Sequence, residues 1–171
     1  MELIQIVDEN GNFIEQIIDK EEAHDKNLLH NEVAAFIIND KKQVLLQKRS
    51  ANKRFNPNKW ALCAGHVDAY ESLGDAILRE IKEEVGLDIS KDDLHQFGER
   101  EFTIRDSNSH ITYFYYIRSN LNEKDFIIQK EELSEVKWFD IDEVIDMIKK
   151  NDSSIVFDEK RLKLFEQLRN I

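Results

Sequence analysis

An α/β sandwich is the fold class this sequence predicts. Three observations predict it. Apolar, β-branched and aromatic runs at residues 33–38, 43–49 and 111–117 read as strands. Ile77, Leu78, Ile81 and Val85 recur as one buried helical stripe, and residues 141–150 and 158–169 also carry helical periodicity. The chain has 171 residues and is 41% hydrophobic, enough for one domain with a real core. Strands interleaved with helices in such a domain pack as layers.

The elements follow in order. Residues 2–7 alternate, Asp8-Glu9-Asn10-Gly11-Asn12 supplies turn chemistry, and residues 13–18 return as the second arm of an N-terminal β-hairpin. Residues 19–29 are polar, a helical turn or loop that holds His24, with His30 just beyond. The apolar run 33–38 is a buried strand, Asn39 to Lys42 turns the chain, and 43–49 is the returning strand. A polar, basic loop spans 50–59, with Lys53, Arg54 and Pro57 in it. A short strand at 60–63 delivers Gly65 to the helix. That helix ends at Gly86, with Leu87 as the apolar contact of the cap. A capped turn at 90–94, strands at 101–104, 111–117 and 136–139, and the two closing helices complete the chain.

Charge narrows the function classes. Lys and Arg number 24 against 35 Asp and Glu, a net charge of −11, which argues against a binder of nucleic-acid polymers. A nucleotide substrate is compatible, because a bound metal and a local basic patch supply a positive field. One cysteine rules out an intrachain disulfide and suits a reducing cytoplasm. The N-terminus lacks the basic start of a signal peptide, and no apolar run is long enough to span a bilayer, so a cytoplasmic protein without a membrane partner is expected.

The stretch from Gly65 to Leu87 carries the chemistry. Glu80, Glu83 and Glu84 stand at i, i+3 and i+4, so their carboxylates project together, beside the apolar stripe. Mutual repulsion and the negative end of the helix dipole both disfavour them there. A divalent cation reverses these terms, and all-oxygen ligands suit Mg²⁺ or Mn²⁺. The plainer alternative is a solvated acidic face, since a chain with 35 acidic residues clusters three of them without design. Lys48, Arg49, Lys53 and Arg54 form the densest basic segment beside this stretch, either a clamp for a substrate phosphate or an exposed loop.

Gly65, then five residues, Glu71, then seven residues, and Arg79-Glu80-Ile81-Lys82-Glu83-Glu84-Val85-Gly86-Leu87 matches the signature of the Nudix hydrolases at every fixed position. The chain therefore resembles a Nudix hydrolase. The resemblance implies one domain over 1–171, a Nudix-type α/β/α sandwich with a mixed sheet, a hairpin extension over 1–30 and the box at 65–87. It implies Mg²⁺- or Mn²⁺-dependent cleavage of a pyrophosphate bond in a nucleoside diphosphate linked to a group X. Glu80, Glu83 and Glu84 would hold the metal, Glu80 and Glu84 most directly, with the Gly65 carbonyl a further ligand. Arg79 would orient Glu83 and Glu71. The water's base would be a box glutamate or a later acid, for which Glu131, Glu132 and Glu135 are candidates. The partner would be a small-molecule diphosphate, and a homodimer is one option that the family and the hairpin leave open.

Residues 1–70 also resemble, more loosely, the isopentenyl-diphosphate isomerase branch of the superfamily, through His24, His30, Leu46-Gln47-Lys48-Arg49-Ser50, Pro57, Trp60 and Gly65-His66. The isomerase places a cysteine directly before the Gly-His pair. Here Ala64 stands there and Cys63 is one step off, which on a strand reverses the side chain. The strand after the box, His110-Ile111-Thr112-Tyr113-Phe114, lacks the isomerase's carboxylates. These departures favour a hydrolase. They also make His24, His30 and His66 satisfied structural residues, not the metal ligands that their isomerase counterparts are. Cys63 is expected in the core, Trp60 and Trp138 in core or pocket wall. Alternation is expected to put half of Tyr113, Phe114, Tyr115 and Tyr116 in the core. A non-catalytic nucleotide-binding regulator is the remaining class, and the intact box argues against it. The loops 104–110 and 119–133 are expected to select X.

Overall fold

A computed structural model describes all of residues 1–171. The N-terminal hairpin forms as expected from β1 (Leu3–Val7) and β2 (Phe13–Asp19). The polar stretch after it forms a short helix, α1 (Lys20–Asp25), capped by Asp19, whose carboxylate accepts from the Glu21 amide. β3 (His30–Ile38) and β4 (Gln43–Arg49) follow. The strand expected at 60–63 divides into β5 (Trp60–Ala61), on β4, and β6 (Cys63–His66), on β3.

The box helix is α2 (Leu73–Val85), started by Ser72, whose hydroxyl accepts from the Asp75 amide, and stopped by Gly86 in the left-handed conformation, φ 75°. Two short strands, β7 (His95–Gln96) and β8 (Glu101–Thr103), pair with the long β9 (His110–Arg118). The chain closes with β10 (Leu133–Asp140), α3 (Ile141–Lys149) and α4 (Glu159–Leu168).

β3 is the axis of the sheet. It runs parallel to β9 and antiparallel to β6, β4 and β1, so the sheet is mixed. Alternation along β3 divides the core in two. Ala34, Phe36 and Ile38 join Leu46, Phe114, Phe139, Val144 and Phe165 under α3 and α4. Val33, Ala35 and Ile37 join Cys63, Ile77, Ile81, Val85 and Tyr115 under α2. This is an α/β/α sandwich.

Covering both faces has one consequence that alternation alone does not predict. Phe114 and Tyr115 are both buried, on opposite faces, so β9 reads as a near-continuous apolar run. Trp60 and Trp138 pack on the two cores, as expected. No helix is long and apolar enough to cross a membrane.

Candidate active site

α2 lies across β6, and the box residues meet at that junction. Glu80 and Glu84, one helical turn apart, are both buried, at 9% and 7% exposure. Glu83 faces outward and stays half exposed, so the three carboxylates expected together divide into a buried pair and a surface member. The helical wheel explains the division. Glu80 and Glu84 flank the stripe of Ile77 and Ile81, and Glu83 falls past its edge.

Gly65 makes room for the pair. A Cβ at that position would lie 2.1 Å from the Glu80 carboxyl carbon. Only glycine lets the strand pass so close to the carboxylate.

Arg79 organises the rest. Its Nε and Nη2 donate to the two oxygens of Glu71 at 2.8 and 2.9 Å, and Nη2 also donates to the His66 carbonyl at 3.0 Å. Nη1 donates to Glu80 at 2.6 Å and reaches Glu83 at 3.4 Å. These bonds include the two partners expected from the sequence, Glu71 and Glu83, and add Glu80. The anions around Arg79 raise its pKa further.

Glu84 has partners of its own. Gln47 Nε2 donates to its Oε2 at 2.7 Å, and the Cys63 thiol and the Ala64 amide also donate to it. Burial still dominates and pushes Glu84 up to about 7. Burial, then the neighbouring Glu84, push Glu80 up to about 8. Two adjacent buried carboxylates this reluctant to ionise, beside a glycine that leaves room next to Glu80, fit a hard divalent cation.

The pair opens on a cleft of about 780 Å³. Of the four basic residues at 48–54, Arg49, Lys53 and Arg54 line it and Lys48 does not. Gln47 and Arg49 share the face toward α2, and Lys48 points the other way, its ammonium 5.9 Å from the Trp60 ring centre. Arg54 pairs with Glu21 and Asp25 of α1 at the cleft rim. Lys53 pairs with Glu132. Glu131 and Glu132 line the cleft; Glu135 does not.

Sequence reasoning missed three residues of the site, Arg105 and His110 on the cleft wall and Gln47 buried against Glu84. Gln47 carried a usable signal: a polar residue at the same strand parity as buried Leu45. Arg105 stands over the Phe55 ring at 5.7 Å and has no carboxylate partner, a fact only the fold reveals. His110 is brought beside His30 by the β3–β9 register.

That register also corrects the expectation for the histidines. His24, His30 and His66 present ring nitrogens that all lie within 4.8 Å of one another. His24 Nε2 and His66 Nε2 meet at 3.2 Å, yet buried His24 Nδ1 and His30 Nε2 have no hydrogen-bond partner, so the cluster is not fully satisfied. His30 Nδ1 meets the Leu28 carbonyl at 2.9 Å, and a carbonyl only accepts, so the proton sits on Nδ1 and Nε2 keeps a bare lone pair. Burial lowers all three, His30 to about 4, and so keeps them neutral. Acids are near after all: Glu32 lies 3.7 Å from His110 and Glu2 3.9 Å from His66. Cys63 is buried in the α2-side core, as expected.

Comparison with known proteins follows the same lines. The chain is 30% identical over 142 residues to isopentenyl-diphosphate Delta-isomerase 2 of Photorhabdus laumondii, covering 82% of this chain and 78% of that one. It superposes on DR0079 of Deinococcus radiodurans with a TM-score of 0.74 at 21% identity, covering 98% and 99% of the two chains. It also superposes on the NUDIX domain of NrtR from Shewanella oneidensis, solved with ADP ribose, with a TM-score of 0.61 at 23% identity, covering 83% and 87%. At such identities the two superpositions establish the fold alone. The NUDIX-domain family model matches residues 28–158, which take in the box and strands β3 to β10. The chain belongs to the Nudix family.

Proposed function

We propose that the protein is a Mg²⁺- or Mn²⁺-dependent hydrolase that cleaves a pyrophosphate bond in a nucleoside diphosphate linked to a second group. The observation that carries this is the buried Glu80–Glu84 pair over Gly65, facing a cleft whose far wall supplies Arg49, Lys53, Arg54 and Arg105. Such a substrate is a polyanion, and charge is the main obstacle to attack on its phosphorus. Glu80, Glu84 and the Gly65 carbonyl would hold the ion, which supplies positive charge against the phosphate oxygens when bound. Arg79 keeps Glu80 and Glu71 in place and leaves the substrate to the other cations. Arg49, Lys53 and Arg105 bind the outer phosphate and orient it. The partner is a small-molecule diphosphate, the setting cytoplasmic, and a homodimer is compatible with the exposed hairpin.

The test is phosphate and pyrophosphate release from a panel that includes ADP ribose and isopentenyl diphosphate, with Mg²⁺ and with EDTA, beside Glu84→Gln. Turnover that needs the metal and vanishes in the variant supports the reading. Release that persists in EDTA or in Glu84→Gln overturns it.

A second reading has its own observation, three histidines with ring nitrogens within 4.8 Å of one another, of which His24 Nδ1 and His30 Nε2 have no hydrogen-bond partner. A ligating histidine commonly donates Nδ1–H to a carbonyl, as His30 does. In this reading the cluster holds a metal and the enzyme isomerises a prenyl diphosphate, the activity in the name of its Photorhabdus relative. Calorimetric titration with Zn²⁺ and Mn²⁺ of the native protein and of His30→Ala tests the site. Isomerisation of isopentenyl diphosphate that is lost in Cys63→Ala would favour this reading over hydrolysis.

A further inference from the structure

Lys53 and Glu132 were each singled out for a separate role, one to hold a phosphate and the other to take a proton. The structure spends them on each other. Their ion pair is the only side-chain bond either makes, and it lies inside the cleft, with side-chain exposures of 27% and 37%. Neither can serve a substrate while the pair is closed.

Backbone bonds fix where the pair sits. The Gln129 amide donates to the Glu84 carbonyl at 3.0 Å, and the Glu132 amide donates to the Gln129 carbonyl at 3.0 Å. The Ser50 amide then donates to the Glu132 carbonyl at 2.9 Å, and the Lys53 amide to the Ser50 carbonyl at 3.2 Å. A continuous ladder thus runs from the metal-binding helix, through Glu132, to the basic loop. Glu132 stands close enough for its charge to act on Glu84 on one side and Lys20 on the other. Neither neighbouring acid matches it. Glu131 is exposed and unanchored, and Glu135 lies outside the cleft.

We propose that the Lys53–Glu132 pair is a latch opened by the substrate: an incoming phosphate takes Lys53, and the released Glu132 carboxylate accepts the proton of the attacking water. The proposal rests on the hydrolase reading above. A phosphate group carries more charge and more acceptor oxygens than a carboxylate, so it displaces Glu132 from the ammonium. Glu132 needs only a side-chain rotation, because the ladder holds its backbone. In the step itself the water oxygen bonds to phosphorus as the bridging P–O bond breaks. The bond pair leaves on the bridging oxygen, and the water's proton passes to Glu132. The latch keeps the base neutralised until a phosphate is present.

A latch has a signature that a plain binding residue lacks. Removing the competing carboxylate must tighten phosphate binding while it slows turnover. The probe is pyrophosphate with Mg²⁺, followed by calorimetry. Glu132→Gln and Glu132→Ala are each expected to bind it about three- to tenfold more tightly, and Lys53→Met about tenfold more weakly. The tightening should vanish in the Lys53→Met background, since it acts only through Lys53. On a turned-over diphosphate, Glu132→Gln should lose about a hundredfold or more in kcat, with KM lowered. Lys53→Arg, which keeps the positive charge, should recover most of the pyrophosphate binding that Lys53→Met loses. Pyrophosphate binding that is unchanged or weaker in both Glu132 variants overturns the latch, as does tightening that survives without Lys53. An unimpaired kcat in Glu132→Gln overturns the proton role. The binding arm reads without turnover, so failure of the hydrolase reading and failure of the latch are separable.

Discussion

Replacing Glu84 by Gln should make the metal-free protein more stable and the metal-loaded one inert. Glu84 is 7% exposed, and burial raises its carboxyl from the ordinary 4.5 to about 7 despite donors from Gln47, Cys63 and Ala64. A group whose folded pKa is raised contributes stability that is complete below the unfolded value and lost as pH rises through the folded one. For Glu84 that window runs from 4.5 to about 7. At roughly 1.4 kcal/mol per pH unit, ionising it inside the fold costs up to about 3 kcal/mol at pH 8. Gln has the same shape, keeps an oxygen for the Gln47 amide and never ionises. In EDTA at pH 8, Glu84→Gln should therefore melt about 6–12 °C above the native protein, and near pH 4.5 the two should coincide.

Mg²⁺ reverses the order. At a thousand times Kd the native protein gains about 4.1 kcal/mol, and the variant, short of a charged ligand, gains little. Thermal melts at two pH values, with and without Mg²⁺, read all four states. A metal-free variant at pH 8 that melts at or below the native protein would refute the buried-charge account. An undiminished response of the variant to Mg²⁺ would refute Glu84 as a ligand.

The other predictions concern the supports of the pair. Gly65→Ala places a Cβ 2.1 Å from the Glu80 carboxyl, so Glu80 must leave its position; turnover should fall at least about a hundredfold with a native circular-dichroism spectrum, and Mg²⁺ affinity should fall with it. Arg79→Lys gives up the fork on Glu71 and the bond to the His66 carbonyl, which should cost about 2–4 kcal/mol in urea unfolding and loosen Glu80, seen as a higher Mg²⁺ half-saturation. His30 is held down to about 4 by burial, so the unfolded chain takes its proton first as pH falls. Stability in EDTA should drop between pH 6.5 and 4, and His30→Phe should flatten that acid limb. Arg105→Ala should raise KM with little change in kcat, because its guanidinium has no protein carboxylate to hold.

The parts of this molecule that were legible in the sequence are those set by local chemistry. The periodicity of Ile77, Ile81 and Val85 and the glycine at position 86 define a helix and its stop whatever surrounds them, and the helix runs Leu73–Val85 as they require. The split of the three glutamates was less legible. Their spacing says that they share a face, but which of them is buried depends on how far α2 rolls onto β6. The histidine cluster was legible only through the isomerase resemblance, because register makes it. His30 meets His110, and Glu32 meets His66, only through β3 pairing with β9 on one side and β6 on the other. The acids absent from β9 are supplied by Glu2, just before β1, and by Glu32 on β3, both far ahead of the box in sequence.

The same strand geometry bears on the choice between the two chemistries. Cys63 and Ala64 are neighbours on β6, so their side chains leave opposite faces of the sheet. Ala64 lines the cleft. Cys63 turns into the α2-side core, where burial raises its thiol and its bond goes to Glu84. A thiol in that position cannot exchange a proton with a carbon of a substrate lying in the cleft, but it can help fix the carboxylate that faces one. The one cysteine of the chain is thus better placed as a support for Glu84 than as an acid or base. That single step along β6 favours hydrolysis, while the neighbouring histidines keep the second metal site open to test.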